Sequence, residues 1–161
     1  MLIETVFDLA MTYNGNDIKR INHFIKVFSF AHHIGVVEQC DAKTQIIIDI
    51  AALLHDIGIH EAERKHNSNA GYWQEIEGAR VAKELLNDID VDAAIKERIL
   101  FLIGHHHHYQ SIDGIDFQIL VESDFLVNIF EDKMDEHSIK NIKEKIFKTE
   151  IGTRMLEKLY L

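Results

Sequence analysis

The sequence contains no proline and a single cysteine, Cys40. Without proline the strongest breaker of helices is missing, which suits a chain of uninterrupted helices. A lone cysteine excludes an internal disulfide and any Cys-x-x-Cys zinc site, and it points to a reducing, intracellular setting. No apolar stretch approaches the length needed to cross a bilayer, and MLIETVFDLAMTYNGND lacks a basic start followed by a long apolar run. A cytoplasmic protein without membrane contact is therefore expected. Positive charge is also scarce: 17 Lys and Arg stand against 27 Asp and Glu, a net charge of −10. Such a chain repels polyanions, which argues against long nucleic acid but leaves room for a small phosphorylated molecule held through a metal or a local cation.

What is present is apolar content and histidine. The 47% of hydrophobic residues in 161 is enough to enclose one core, and no repeat, linker or low-complexity tract divides the chain, so residues 1–161 read as one domain. Asn14-Gly15 is a turn signal, and Asn16 or Asp17 caps a helix running to about Ile34, where Gly35 offers a left-handed stop. Asp41 starts a second helix, through TQIIIDIAALLHD to Gly58, that is apolar on nearly every side and belongs at the centre of the fold. HEAERKHNSNAGYW reads as the longest irregular segment. Helical pattern resumes in EIEGARVAKELL, in AAIKERILFLIG from about Asp92, and in DFQILVESDFLVNIFED beyond the Asp113-Gly114 turn pair. A last amphipathic segment, about 138–161, carries Lys140, Lys143, Lys145 and Lys148 among Ile139, Ile142, Ile146 and Phe147, as expected of a helix covering the core. A homo-oligomer using that segment stays open.

Eleven histidines matter only where they can meet. At roughly 100° per residue, His23 shares its helix side with Val27, Phe30 and Ile34, and Asp124 shares its side with Phe117, Leu120, Val121 and Val127. Both therefore look inward, and a buried carboxylate needs pairing, hydrogen bonds or a metal to stay ionised. His55 continues the side carrying Ile48 and Ala51, and Asp56 follows at the helix end. Helical bundles bring such inward groups around one ion, and mixed imidazole and carboxylate donors suit Mn, Fe, Co, Ni or Zn without choosing among them. Taken singly, each of these residues has an ordinary structural explanation.

The segments RINHFIKVFSFA around His23, IAALLHDIGIHEAE around His55 and Asp56, and ILVESDFLVNI around Asp124 together resemble the HD-domain superfamily of metal-dependent phosphohydrolases, over about residues 16–131. HDIG is the most specific piece. The resemblance implies an all-α, single-domain helical bundle with a metal in a central cleft. It makes His23, His55, Asp56 and Asp124 the ligands of a divalent ion. Members holding two metals use a further His before a Gly-Ala pair and a later His-His pair. Here Gly78-Ala79 is preceded by Gln74 where that His would stand, with Glu75 or Glu77 able to compensate. GHHHHYQ supplies the later pair at His106 and His107, with a slip to His105 open. One ion is expected and a second is within reach, bridged by Asp56.

The implied activity is hydrolysis of a phosphoester, a nucleotide or related molecule, by metal-activated water. Glu61 is the candidate base or water-orienting group, Lys65 a catalytic or phosphate-holding cation, and Arg64 a second phosphate contact. These three also read as a solvated charge cluster, and Tyr72 and Trp73 as loop packing or a stacking surface. Two other classes remain: a paired-iron oxygenase, which the Gln74 substitution counts against, and a non-catalytic metal or nucleotide sensor.

Overall fold

The computed structural model describes all 161 residues. Nine α-helices follow in order: α1 (Leu2–Asn14), α2 (Ile18–Val37), α3 (Ala42–Leu54), α4 (Ile59–His66), α5 (Gly71–Leu85), α6 (Ala93–Ile103), α7 (Ile115–Glu131), α8 (Glu136–Lys145) and α9 (Glu150–Tyr160), with one 3-10 turn at Tyr109–Ser111. Five of them start at a side chain that accepts a free N–H of the first turn: Asp17, Asp41, Asp92, Asp135 and Thr149. Each such cap is worth about 1 kcal/mol. In place of proline, left-handed backbone ends several helices. Gly15, Gln39, Asn67 and Lys133 all have positive φ, between 47° and 60°, so the turns fall on residue types that have to tolerate that region.

Helix α3 is central, buried from Ile47 to Leu54 and packed against α1, α2, α6 and α7. One apolar cluster of 31 buried residues draws on every helix except α4, which is why the chain forms one domain. At Gly58, in HDIG, an added Cβ would lie 2.2 Å from the Gly78 backbone nitrogen. The close approach of this turn to α5 therefore requires glycine at Gly58.

Three segments depart from the sequence expectation, and a fourth, at the N-terminus, carried none. The N-terminal residues form α1, whose Val6 and Ala10 are fully buried. HEAERKHNSNAGYW is not one irregular stretch but contains α4 from its second residue onward and the start of α5. Helix α4 buries only Ala62, so it has no apolar periodicity to find; Glu61 in its first turn and Arg64, Lys65 and His66 in its last complement the helix dipole instead. The C-terminal segment is two helices, α8 and α9. Their break is held by Glu122 of α7, which accepts hydrogen bonds from the Lys148 and Thr149 backbone N–H groups and from the Thr149 hydroxyl. Helix α2 also runs through Gly35 to Val37, and the left-handed stop falls on Gln39.

Candidate metal centre

His23 from α2 and His55 and Asp56 from the turn ending α3 bring ligand atoms within 4.8 Å of one another, and Asp124 from α7 adjoins the two histidines. His23 Nε2 lies 3.2 Å from His55 Nε2, 3.1 Å from Asp124 Oδ1 and 3.4 Å from Asp56 Oδ2. His55 Nε2 lies 3.4 Å from Asp56 Oδ2 and 3.6 Å from Asp124 Oδ1. The inward sides of α2 and α7 bring His23 and Asp124 there with Val27, Ile34, Leu120 and Val121, all buried. His55 is fully buried, whereas the Asp56 side chain is 24% exposed and faces a cleft.

The other ring nitrogens show which atoms are free. His55 Nδ1 donates to the Ala52 carbonyl at 2.9 Å, and a carbonyl only accepts, so the proton of the neutral ring sits on Nδ1 and Nε2 is bare. His106 is arranged in the same way, with Nδ1 donating to the Ile103 carbonyl at 2.9 Å. His23 has a carboxylate at each ring nitrogen, Glu131 Oε2 at 2.9 Å from Nδ1 and Asp124 Oδ1 at 3.1 Å from Nε2. His55 and His106, and His23 when its proton sits on Nδ1, thus direct bare Nε2 atoms toward two carboxylates, with no lysine or arginine hydrogen-bonded to either carboxylate. The set has the chemistry of a first-row divalent site.

Electrostatics point the same way. Burial favours the neutral forms, but Asp56 and Asp124 outweigh it and hold His55 well above the ordinary histidine range. At His23 burial is likewise outweighed, first by the hydrogen bond to Asp124. Burial would raise Asp56 and Asp124, yet His55 and His106 hold the first, and His23 and His55 the second, below the carboxylate range. A pocket that draws extra protons onto its imidazoles attracts cations, and a metal would displace those protons.

A second set shares Asp56. Its Oδ1 lies 3.4 Å from His106 Nε2 while its Oδ2 faces His23 and His55, and His107 offers a further nitrogen close by. His106 Nε2 and His107 Nδ1 are buried without a hydrogen-bond partner. Burial, then His106, lowers His107 to about 4, which keeps it neutral and able to act as a ligand. His105 turns away: its ring stacks on Phe101, and its Nδ1 bonds the Phe101 carbonyl.

The HD domain family model matches residues 20–150. The chain belongs to the HD domain family. Its fold is similar to the crystal structure of a predicted HD superfamily hydrolase from an uncultured Thermotogales bacterium, at 25% identity and a TM-score of 0.69, covering 98% of this chain and 84% of that one. Comparison with curated proteins finds no match. The fold, the family and the His/Asp cluster together describe a hydrolase-like HD domain with residues able to hold a metal.

In this HD domain the cleft above Asp56 encloses about 240 Å³ and is lined by Lys19, Arg20, His23, Asp56, Ile59, Asn69, Gln74, Asn128, Glu131 and Asp132. Glu61, Arg64 and Lys65, expected there from the sequence, do not line it. Arg64 makes two 2.8 Å bonds to Glu61, and Lys65 bonds Glu77 at 3.0 Å. Arg80 links Glu61, Glu77 and Glu84. Glu77 is fully engaged in that cluster, whereas Glu75 lies by the histidine run, accepting the His107 backbone N–H at 2.9 Å and lying 3.1 Å from His108 Nε2. Gln74 lines the cleft and its amide donates to the Asn69 carbonyl. Trp73 stacks on His66 at 3.7 Å, while Tyr72 is exposed. Sequence reasoning missed Lys19, Arg20, Asn128 and Glu131. The signal available was the spacing of Asp124, Asn128 and Glu131, which places all three on one side of α7.

Proposed function

We propose that this HD domain hydrolyses a phosphoester of a small molecule with a divalent ion held by His23, His55, Asp56 and Asp124. A second, weaker ion would sit at Asp56, His106 and His107. The observation that carries the reading is Asp56 itself, with one oxygen turned to His23 and His55 and the other to His106. Mn, Fe, Co, Ni and Zn all suit these donors. When bound, such an ion acidifies a water and neutralises charge on a phosphoryl oxygen.

The protein's own groups do the rest. Asn128 donates to Asp124 Oδ1 at 2.9 Å and fixes the orientation of that carboxylate. Lys19 lines the cleft and forms no ion pair, so its ammonium is free to meet a phosphate. Arg20 is bound to Asp17 and Glu63, but its Nε is buried without a partner and offers a second donor. The cleft is smaller than the ~300–1,000 Å³ typical of drug-sized ligands. A nucleotide would place its phosphate and sugar inside, against the amides of Asn69 and Gln74, and leave its base outside. Glu61 and Lys65 are assigned to the ion-pair cluster instead of the chemistry.

The paired-iron alternative needs a ligand where Gln74 stands, and that amide is bonded to the Asn69 carbonyl. Manganese-loaded protein should release phosphate or a dephosphorylated product from members of a panel of nucleotides, sugar phosphates and p-nitrophenyl phosphate. Inert protein with tight metal binding would replace hydrolysis by a sensor role. Two bound irons with oxygen consumption would select the oxygenase.

A further inference from the structure

The three imidazoles whose Nε2 atoms face the site are not anchored alike. Backbone carbonyls of their own chain turns hold His55 and His106, and no side-chain substitution removes those acceptors. His23 depends on a side chain from another helix, Glu131, 108 positions away. The second oxygen of that carboxylate is held by Lys26 Nζ at 2.6 Å, one turn beyond His23 on α2.

We infer that Glu131 is a positioning residue for the metal centre, locking His23 in the Nδ1–H tautomer so that Nε2 faces the ion, with Lys26 holding Glu131 in place. The inference rests on the metal reading above. A carboxylate differs from the carbonyls behind His55 and His106 because its full charge makes the bonded imidazole a stronger donor. Without this partner Asp124 Oδ1, 3.1 Å from Nε2, would draw the proton of the neutral ring to that nitrogen, and the Nε2–H form has no lone pair there to give. The placement follows from geometry: Asp124 and Glu131 are seven residues apart on one side of α7, so one helix supplies both a donor to the site and the anchor of its neighbour.

The test compares wild type, Glu131→Gln and Lys26→Met. Metal affinity is measured by competition with a chelator, using Mn²⁺ and Zn²⁺. Glu131→Gln should weaken binding ~10- to 100-fold, the range for such partners, and Lys26→Met should weaken it less, with both variants keeping wild-type helicity. Unchanged affinity in Glu131→Gln would overturn the inference. The tautomer is read separately by ¹⁵N NMR of labelled histidines in metal-free protein, with the pH raised until the His23 ring reports as neutral and His23→Gln identifying the signal. Wild type should show Nδ1–H at His23, and Glu131→Gln a mixture. A wild-type Nε2–H form, or identical spectra, would overturn the inference even if the protein bound no metal, an outcome that would separately sink the metal reading. A merely structural Glu131 would lower the melting temperature without changing the tautomer.

Discussion

Two charge-rich regions of this protein are built on opposite plans. On the α4–α5 surface, Glu61, Glu77 and Glu84 are matched by Arg64, Lys65 and Arg80 at 2.6 to 3.4 Å, and the cluster is neutral within itself. Around Asp56, two carboxylates face three imidazoles, and neither is paired with a lysine or arginine; Lys26 connects to them only through Glu131 and His23. Both regions look alike as residue counts. The first supplies its own permanent cations; the second lacks them and directs bare nitrogens and buried oxygens at shared points. Charge balanced from within is a structural device, and charge left unbalanced in a buried pocket marks a place for a cation.

The contrast breaks most directly at Asp56. Asp56→Ala should abolish metal binding by elemental analysis and lower phosphoester hydrolysis by ~10³-fold or more, since residues acting as one unit fail together. A variant that retained both would remove the distinction between the regions. Next in size is the metal itself. At a free concentration a hundred times Kd it should stabilise the fold by ~2.7 kcal/mol, raising Tm by roughly 5–10 °C for a domain of this size; differential scanning fluorimetry with and without EDTA measures this. His106→Ala sharpens the picture within the site. Metal stoichiometry should fall from two to one while the tighter ion at His23, His55 and Asp124 stays.

On the balanced side the effects are small. Arg64→Ala should cost under ~1 kcal/mol in denaturant unfolding, as exposed ion pairs do, and leave metal affinity unchanged. A strong loss of activity would return Arg64 to the chemistry. The pH response of this cluster has a definite sign. Bonding to Arg64 holds Glu61 at about 2, and bonding to Arg80 holds Glu77 at about 2. Their folded pKa values lie below the unfolded ~4.3. Stability from them is therefore present above that value and lost as the pH falls toward about 2. High salt should flatten that part of a melting-temperature profile.

Some of this was legible before any coordinates. The apolar periodicity around His23 and Asp124 turned both inward, the apolar run ending at His55 and Asp56 marked the central helix, and the aspartate caps announced several helix starts. Helix α4 was not legible, because ion pairs and end charges hold it with little apolar face. Glu61, Arg64 and Lys65 were near the doublet in sequence, but Glu61 and Lys65 pair with α5 and Arg64 with Glu61, since residues a few positions apart on a helix can face different neighbours. Lys19 lay far from the doublet in the chain and could be linked to it only in space, whereas Glu131 shared the helical side of Asp124.

The sequence by itself determined that the chain is helical, that it has one core, and that it carries the HD pattern, because periodicity, capping and motif spacing are local properties. Only the tertiary structure decided which polar groups belong to the site. It left Lys19 without an acidic partner, paired Lys65 with Glu77, and set Glu131 behind His23. Those choices depend on which helices pack together, and packing is decided by the whole core at once.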